Sequence, residues 1–219
     1  MLLVARLILP AFLVLGLLPA SALAQSGSAP TQSQQQALAT ADGKFIQSLG
    51  NEAIAVIANK NLSQDQRSER FRQMLRTSFD LQTIGRFVIG RSWNAASQEQ
   101  QQEYMHLFEA LVIKTYSDRF ALYTGEGFEV TGLRPETEKD TVVTSAITHP
   151  DGSEPTGVDW RVRNKGGKLG IIDVVIEGVS LSVTQRQEYS SIIQRDGGKL
   201  DGLLDLMRQQ LNGSSTSGN

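Results

Sequence analysis

The sequence predicts an α+β fold, in which helices cover one face of a curved antiparallel sheet of about four strands. Three observations predict it. Apolar residues recur with helical spacing between residues 38 and 123, and again between residues 182 and 211. Between these two helical regions, short β-branched segments alternate with turn residues. Strands joined by short turns pair antiparallel, and a block of strands flanked by helices is typical of an α+β architecture.

The N-terminus has the composition of a cleaved signal peptide, residues 1–24. An apolar run from Leu7 to Leu18 follows Arg6 and leads to the small-residue motif Ala22-Leu23-Ala24, which predicts cleavage before Gln25. The alternative is a membrane anchor, but the run is shorter than the roughly 20 apolar residues that span a bilayer. The sequence therefore predicts an exported protein.

The rest of the chain divides into three parts by composition. Residues 25–37 are rich in Ser and Gln without periodicity, which predicts a flexible leader. Residues 38–211 carry the periodic pattern and predict a single domain with a sizeable core. Residues 212–219 are small and polar, which predicts a disordered tail.

Three helices are predicted before residue 91. The first carries an apolar stripe from Phe45 onwards, and the second follows Ser63, a residue type favoured at helix N-caps. The third opens at Asp80 and should end at Gly85 or Gly90, because glycine favours the backbone conformation of a helix end.

A long fourth helix is predicted from Ser97 to about Tyr123, where Gly125 follows. Its apolar side is wider than the single stripe that packing on a core requires. Two explanations remain open: burial between two layers, or one side on the sheet and the other lining a cavity. The widened side comprises Tyr104, Met105, Leu107, Phe108, Leu111, Val112, Ile113, Thr115, Tyr116, Arg119, Phe120 and Tyr123.

Strand patterns follow the long helix. Residues 150–152 (Pro-Asp-Gly) are of the types favoured in turns and predict a turn between two of the strands. After the strands, a helix is expected to begin at Ser182 or Thr184 and to run to Ile193, and a last helix covers residues 200–211. The strands are expected near residues 128–130, 141–149, 158–162 and 169–176.

The composition excludes much of the usual site chemistry. The 219 residues include no Cys and two His, so thiol nucleophiles, Cys-ligated zinc and three-His metal sites are excluded. A formal charge of −2 argues against a strongly basic nucleic-acid binder. Asp173 lies within an apolar run and is either an acid–base group or an ion-pair partner of Arg86 or Arg161, the second being favoured. The sequence thus predicts no catalytic residue, no metal site and no nucleic-acid partner.

Three segments resemble a known family. They are residues 79–93, residues 108–116 and residues 173–181, and the first and last contain the patterns F-D-x-x-x-x-x-R-F-V-x-G-R and D-V-x-I-E-G-V-S-L. Together they resemble the MlaC-like periplasmic phospholipid-binding proteins of the Mla (toluene-tolerance) pathway. The resemblance extends over about residues 38–211.

The resemblance implies a periplasmic phospholipid carrier that is not an enzyme. Such a carrier shuttles lipid between an outer-membrane lipoprotein–porin complex and an inner-membrane ABC transporter complex, and thereby serves the lipid asymmetry of the outer membrane. It implies a monomer that holds phospholipid as cargo and needs no cofactor. The acyl chains would lie in a cavity between sheet and helices, with the head group near its mouth.

The resemblance and the apolar pattern together give candidate lipid contacts. Arg86, Arg91 and Arg186 are candidate contacts to a head group or a partner, or alternatively ion-pair partners of Asp80, Asp173 or Glu177. The candidate lipid contacts on helices are Phe87, Val88, Leu111, Val112, Tyr116 and Phe120. Those on the sheet and directly after it are Val142, Trp160, Val162, Ile172, Val174, Ile176, Val179 and Leu181.

Three alternatives remain open. A related branch accompanies hopanoid biosynthesis, and departures from the family pattern at Ser92, 169–172 and 183–186 could alter which lipid fits. An exported α+β enzyme would need an acid–base pair in its cavity. A pure interaction module would have a solid core and carry no lipid.

Overall fold

A computed structural model describes residues 30–118 and 123–213. The predicted signal peptide and most of the predicted tail lie outside these ranges. The helices are α1 (Gln32–Ala39), α2 (Ala41–Ala58), α3 (Gln64–Ser78), α4 (Leu81–Ile89), α5 (Ser92–Ala95), α6 (Gln98–Ser117), α7 (Leu181–Arg195) and α8 (Asp201–Asn212). The strands are β1 (Gly127–Pro135), β2 (Asp140–Thr148), β3 (Thr156–Lys165), β4 (Lys168–Ile176) and β5 (Val179–Ser180).

The five strands form one antiparallel sheet in the order β1-β2-β3-β4-β5. The α+β prediction is therefore confirmed, with a short fifth strand added. Pairing of β3 with β4 is interrupted at Ile172, because Val162 pairs with Ile171 and Arg161 with Asp173. Such a bulge places one extra residue in the strand and resets the alternation of its faces.

Two apolar clusters hold the fold together. The first joins α2 and α3 to the inner face of the sheet, and Ile46, Val143 and Ile171 are completely buried in it. The second is helical and joins α4, α6, α7 and α8 around Tyr104 and Leu203. Helices thus cover one face of the sheet in two groups, and space remains between the groups.

Part of the predicted flexible leader, residues 32–37, is helical. Residues 32–39 form α1, whose Thr31 cap and Gln34 side chain satisfy each other's backbone N–H groups. Ala37 is fully buried, and the Gln34 amide donates to Glu129 on β1 at 2.6 Å. The sequence pattern did not indicate this helix, because the run of Gln residues has no apolar stripe of helical spacing.

Several predicted helix ends are located by their caps. Ser63 and Ser97 cap α3 and α6 as expected, and α4 ends at Gly90, whose φ of 55° favours glycine. The long helix α6 ends at Ser117, earlier than the predicted Tyr123. The cap of α7 is Ser180 rather than Ser182 or Thr184, because the two-residue strand β5 leads directly into the helix.

Charged pairs cover the outer face of the sheet. The Arg163 guanidinium donates to both oxygens of Asp140 at 2.7 Å and holds the pKa of that carboxyl below its usual range. Arg161 pairs with Glu136 at 2.6 Å. This face therefore points to solvent, and a candidate site must be sought on the helix-covered side.

None of the helices in the described ranges is both long enough and apolar enough to cross a bilayer.

Candidate functional site

A cavity of about 320 Å³ lies between the two apolar clusters. Its walls come from α3, α4, α6 and α7 and from the inner face of β2, β3 and β4. The volume lies within the range of about 300–1,000 Å³ that is typical of small-molecule sites. The two groups of helices therefore form opposite walls of the cavity and do not pack together into one solid core.

The wall is apolar with few polar groups. The polar side chains among its lining residues include Thr115, Asp173, Ser182 and Gln185. Burial raises the pKa of the Tyr189 phenol, so this lining residue stays neutral near pH 7. The Trp160 indole N–H donates to the Ser145 hydroxyl at 2.8 Å, which leaves its ring available for apolar contacts.

Many of the candidate lipid contacts lie on this wall. From the helices it receives Val88, Leu111, Val112, Tyr116 and Leu181, and from the sheet Trp160, Val174 and Ile176. These eight positions come from five different elements, and the fold brings them to one space. Their contact with a lipid remains a prediction.

Three other candidates do not line the cavity. Phe87 and Val179 are 40% and 41% exposed on the outer surface. Val162 is 1% exposed and packs in the solid cluster under α2. The alternation of apolar residues along a helix or strand correctly indicated an apolar environment at Val162, but it does not distinguish a cavity from a filled core.

Val142 and Ile172 do not line the cavity either. Val142 is buried, but its cross-strand partners are Arg134 and Arg161, so it belongs to the charged outer face. Ile172 is the extra residue of the β4 bulge, and Ile171 takes the inward position instead. Phe120, the remaining candidate, lies outside the described residues.

The sequence did not single out the contribution of α3. Phe71, Leu75 and Phe79 line the cavity, and the centroid of the Phe71 ring lies 6.2 Å from that of Tyr116 on α6. Their spacing of four residues was visible as an apolar stripe, but periodicity does not identify the partner of a stripe. Ile147 and Val158 at the ends of β2 and β3 were missed for the same reason.

Asp173 does not form the predicted ion pair with Arg86 or Arg161. Its carboxylate accepts hydrogen bonds from the Val174 N–H at 2.9 Å, the Ser182 N–H at 3.2 Å and the Ser180 hydroxyl at 2.7 Å. The Ser180 and Ser182 donors lie at the start of α7, where the helix dipole also favours a negative charge, and the Val174 N–H lies on β4. Asp173 therefore fastens α7 to β4 on the cavity wall.

The three candidate arginines lie at the surface near the ends of α4 and α7. Arg86 is stacked over the Trp93 ring at 4.8 Å. Arg186 donates to the backbone carbonyl of Phe87 at 2.8 Å and lies 4.8 Å from its ring. Arg91 is exposed at the start of α5.

The carboxylates proposed as their partners have other contacts. Asp80 pairs with Lys165, and the Glu177 carboxylate accepts from the Gly157 N–H. Among residues 30–118 and 123–213, no group of three or more His, Asp or Glu side chains could hold a metal ion. The arrangement can enclose an apolar ligand, and Asp173 is the one Asp or Glu on the described cavity wall.

Comparison with known proteins assigns the family. A sequence model described as MlaC protein matches residues 47–209, which is most of the chain. The chain belongs to the MlaC family. The resemblance inferred from the three sequence segments is thereby confirmed.

The relatives are distant. The chain is 24% identical over 110 residues to the toluene tolerance protein ttg2D of Pseudomonas putida, covering 50% of this chain and 51% of the relative. It is 24% identical over 133 residues to the intermembrane phospholipid transport system binding protein MlaC of Haemophilus influenzae, covering 59% of this chain and 61% of the relative. The chain thus spans half to three-fifths of the length of these relatives.

A solved structure shares the fold of this MlaC family member. It is a phospholipid-binding protein from Ralstonia solanacearum in complex with a phospholipid, with a TM-score of 0.68 at 22% identity. The match covers 79% of this chain and 98% of that chain. At this identity the likeness establishes the architecture.

Proposed function

We propose that this MlaC family member is a periplasmic phospholipid carrier. The observation that carries the proposal is the apolar cavity of about 320 Å³ between sheet and helices. Its wall offers apolar surface and one already hydrogen-bonded carboxylate, Asp173. Such a wall suits acyl chains, which need shielding from water and no polar partners.

The energetics explain why a carrier is needed. Each CH₂ group buried from water contributes about 0.8 kcal/mol, so the two chains of a phospholipid leave a bilayer very slowly without an apolar host. A protein that lowers this cost needs an enclosed cavity and a route for exchange. An enzyme would instead need an acid–base pair, whereas Asp173 is committed to the N–H and hydroxyl donors of α7.

The comparisons support the finer parts of the proposal. The solved structure with this fold holds a phospholipid, and the name of the Haemophilus relative describes an intermembrane phospholipid transport system. We propose that the chain is exported after cleavage at Ala24/Gln25 and acts as a monomer. Its partners would be an outer-membrane lipoprotein–porin complex and an inner-membrane ABC transporter complex.

A lipid-transfer assay tests this function. Protein added to donor vesicles with a fluorescent phospholipid and to unlabelled acceptor vesicles should speed transfer severalfold. Val112→Trp on the cavity side of α6 should abolish most of the gain, because the indole occupies the space for the chains. His106→Trp, which adds the same ring on the exposed side of α6, is the matched control and should keep it. Equal transfer with and without wild-type protein would contradict the proposal.

A further inference from the structure

One patch of the surface is unusually apolar. Within the described ranges, the large apolar side chains that stay well exposed are Phe87, Val179 and Val183, at 40%, 41% and 42%. They come from the end of α4, from β5 and from the first turn of α7. Together with Arg86, Arg91 and Arg186, they form a surface that we call the α4–α7 face.

Phe87 at the end of α4 lies beside the first two turns of α7. Arg186 is in contact with Phe87 through both its hydrogen bond and its stacked guanidinium, and Val183 lies one turn before Arg186 on α7. Val179 directly precedes Ser180, the cap of α7. Gly90 permits this packing, since a Cβ there would lie 2.9 Å from the Arg186 guanidinium.

The same face is cationic. Arg86, Arg91 and Arg186 are exposed, and none of the ion pairs found among the described side chains includes them. Arg86 and Arg186 are stacked on aromatic rings instead. The chain as a whole has a formal charge of −2, so this positive charge is local.

The α4–α7 face is the outer side of the cavity wall. Ile84, one turn before Phe87, lines the cavity, and so do Ser182 and Gln185, the neighbours of Val183 and Arg186. The two helices therefore separate the cavity from this face by the thickness of one layer. A surface that touches this face is next to the site where cargo would lie.

We propose that the α4–α7 face makes direct, reversible contact with the surface of an anionic lipid bilayer. The proposal extends the carrier function, and it names a surface that needs no protein partner. Exposed Phe and Val among arginines match the bilayer interface, where apolar side chains enter the head-group region and guanidinium groups meet lipid phosphates. Three apolar side chains are few for a stable protein interface, which buries about 800 Å² on each partner.

Binding of the purified protein to protein-free vesicles tests the proposal. We expect co-sedimentation with vesicles that contain phosphatidylglycerol, little with pure phosphatidylcholine, and a loss at 0.5 M salt because exposed charges are screened. Arg86→Glu/Arg91→Glu should weaken binding at least about 25-fold, since each basic residue near an anionic surface contributes about a factor of five and two are removed. Phe87→Ser/Val183→Ser should weaken it severalfold at every salt concentration at which the wild type still binds.

Matched variants and a cargo measurement keep the test specific. Arg70→Glu/Arg195→Glu makes the same charge change at exposed positions away from the face and should bind as the wild type does. Phospholipid content is measured on each sample first, so loss of cargo and loss of vesicle binding are separate results. The proposal would be overturned if the wild type did not bind anionic vesicles, or if the control variant lost as much binding as Arg86→Glu/Arg91→Glu. Absence of binding by the wild type would indicate that the face contacts a protein partner instead.

Discussion

Val174→Trp should remove most of the co-purified phospholipid and cost little stability, whereas Val162→Trp should do the reverse. Both valines lie on the inner face of the sheet, on adjacent strands. Val174 borders the cavity, so an indole there enters empty space that the acyl chains would use. Val162 is 1% exposed in a filled cluster, where added volume costs about 3 kcal/mol or more.

Phosphate analysis of extracted lipid and urea unfolding measure the two effects. The expected contrast is a lipid content lowered at least fivefold in Val174→Trp with a free energy of unfolding close to that of lipid-free wild type. If Val174→Trp instead unfolds several kcal/mol more easily and keeps its lipid, Val174 belongs to a solid core and the cargo lies elsewhere.

Asp173→Ala should lower the free energy of unfolding by about 2–4 kcal/mol. The substitution leaves the Val174 and Ser182 N–H groups and the Ser180 hydroxyl without their acceptor, and an unsatisfied buried donor costs about 1–3 kcal/mol. Asp173→Asn retains one oxygen that can accept the two N–H groups, so it should cost about half as much.

Urea unfolding of the two Asp173 variants beside the wild type gives these values. An Asp173→Ala variant as stable as the wild type would show that Asp173 does not fasten α7 to β4. The same variant should still bind vesicles through the α4–α7 face when it is folded, which separates this structural role from that of the surface arginines.

The elements that local chemistry determines were predictable. Ser63, Ser97 and Asp80 each cap a helix as their residue types suggest, and Gly90 ends α4. The alternating residues 158–162 form part of β3. In each case the signal lies within a few neighbouring residues.

The features that depend on distant parts of the chain were not predictable in this way. Ile172 is the extra residue of the β4 bulge, which is a feature of the pairing between β3 and β4 and not of β4 alone. α1 is stabilised by contacts between Gln34 and Glu129, 95 residues apart. Asp173 likewise finds its partners at the start of α7, where Ser180 was not recognised as the cap.

The sequence predicted only part of the candidate site, because periodicity identifies apolar positions but not what they contact. Periodicity identified Leu111 and Val174 as apolar, and both face the cavity. It also selected Val162, which faces a filled cluster, because burial in a core and exposure to a cavity need the same residue types. The distinction arises only when two groups of helices leave space between them.

Extraction and mass spectrometry of the lipid that co-purifies with the mature protein decide whether the cavity carries a phospholipid. The protein is purified without detergent, denatured in organic solvent, and compared with an equally treated Val174→Trp sample. We expect diacyl phospholipid in near-stoichiometric amount from the wild type and much less from the variant. A wild-type sample that yields no lipid above the background, or a polycyclic triterpenoid in place of phospholipid, would contradict this expectation.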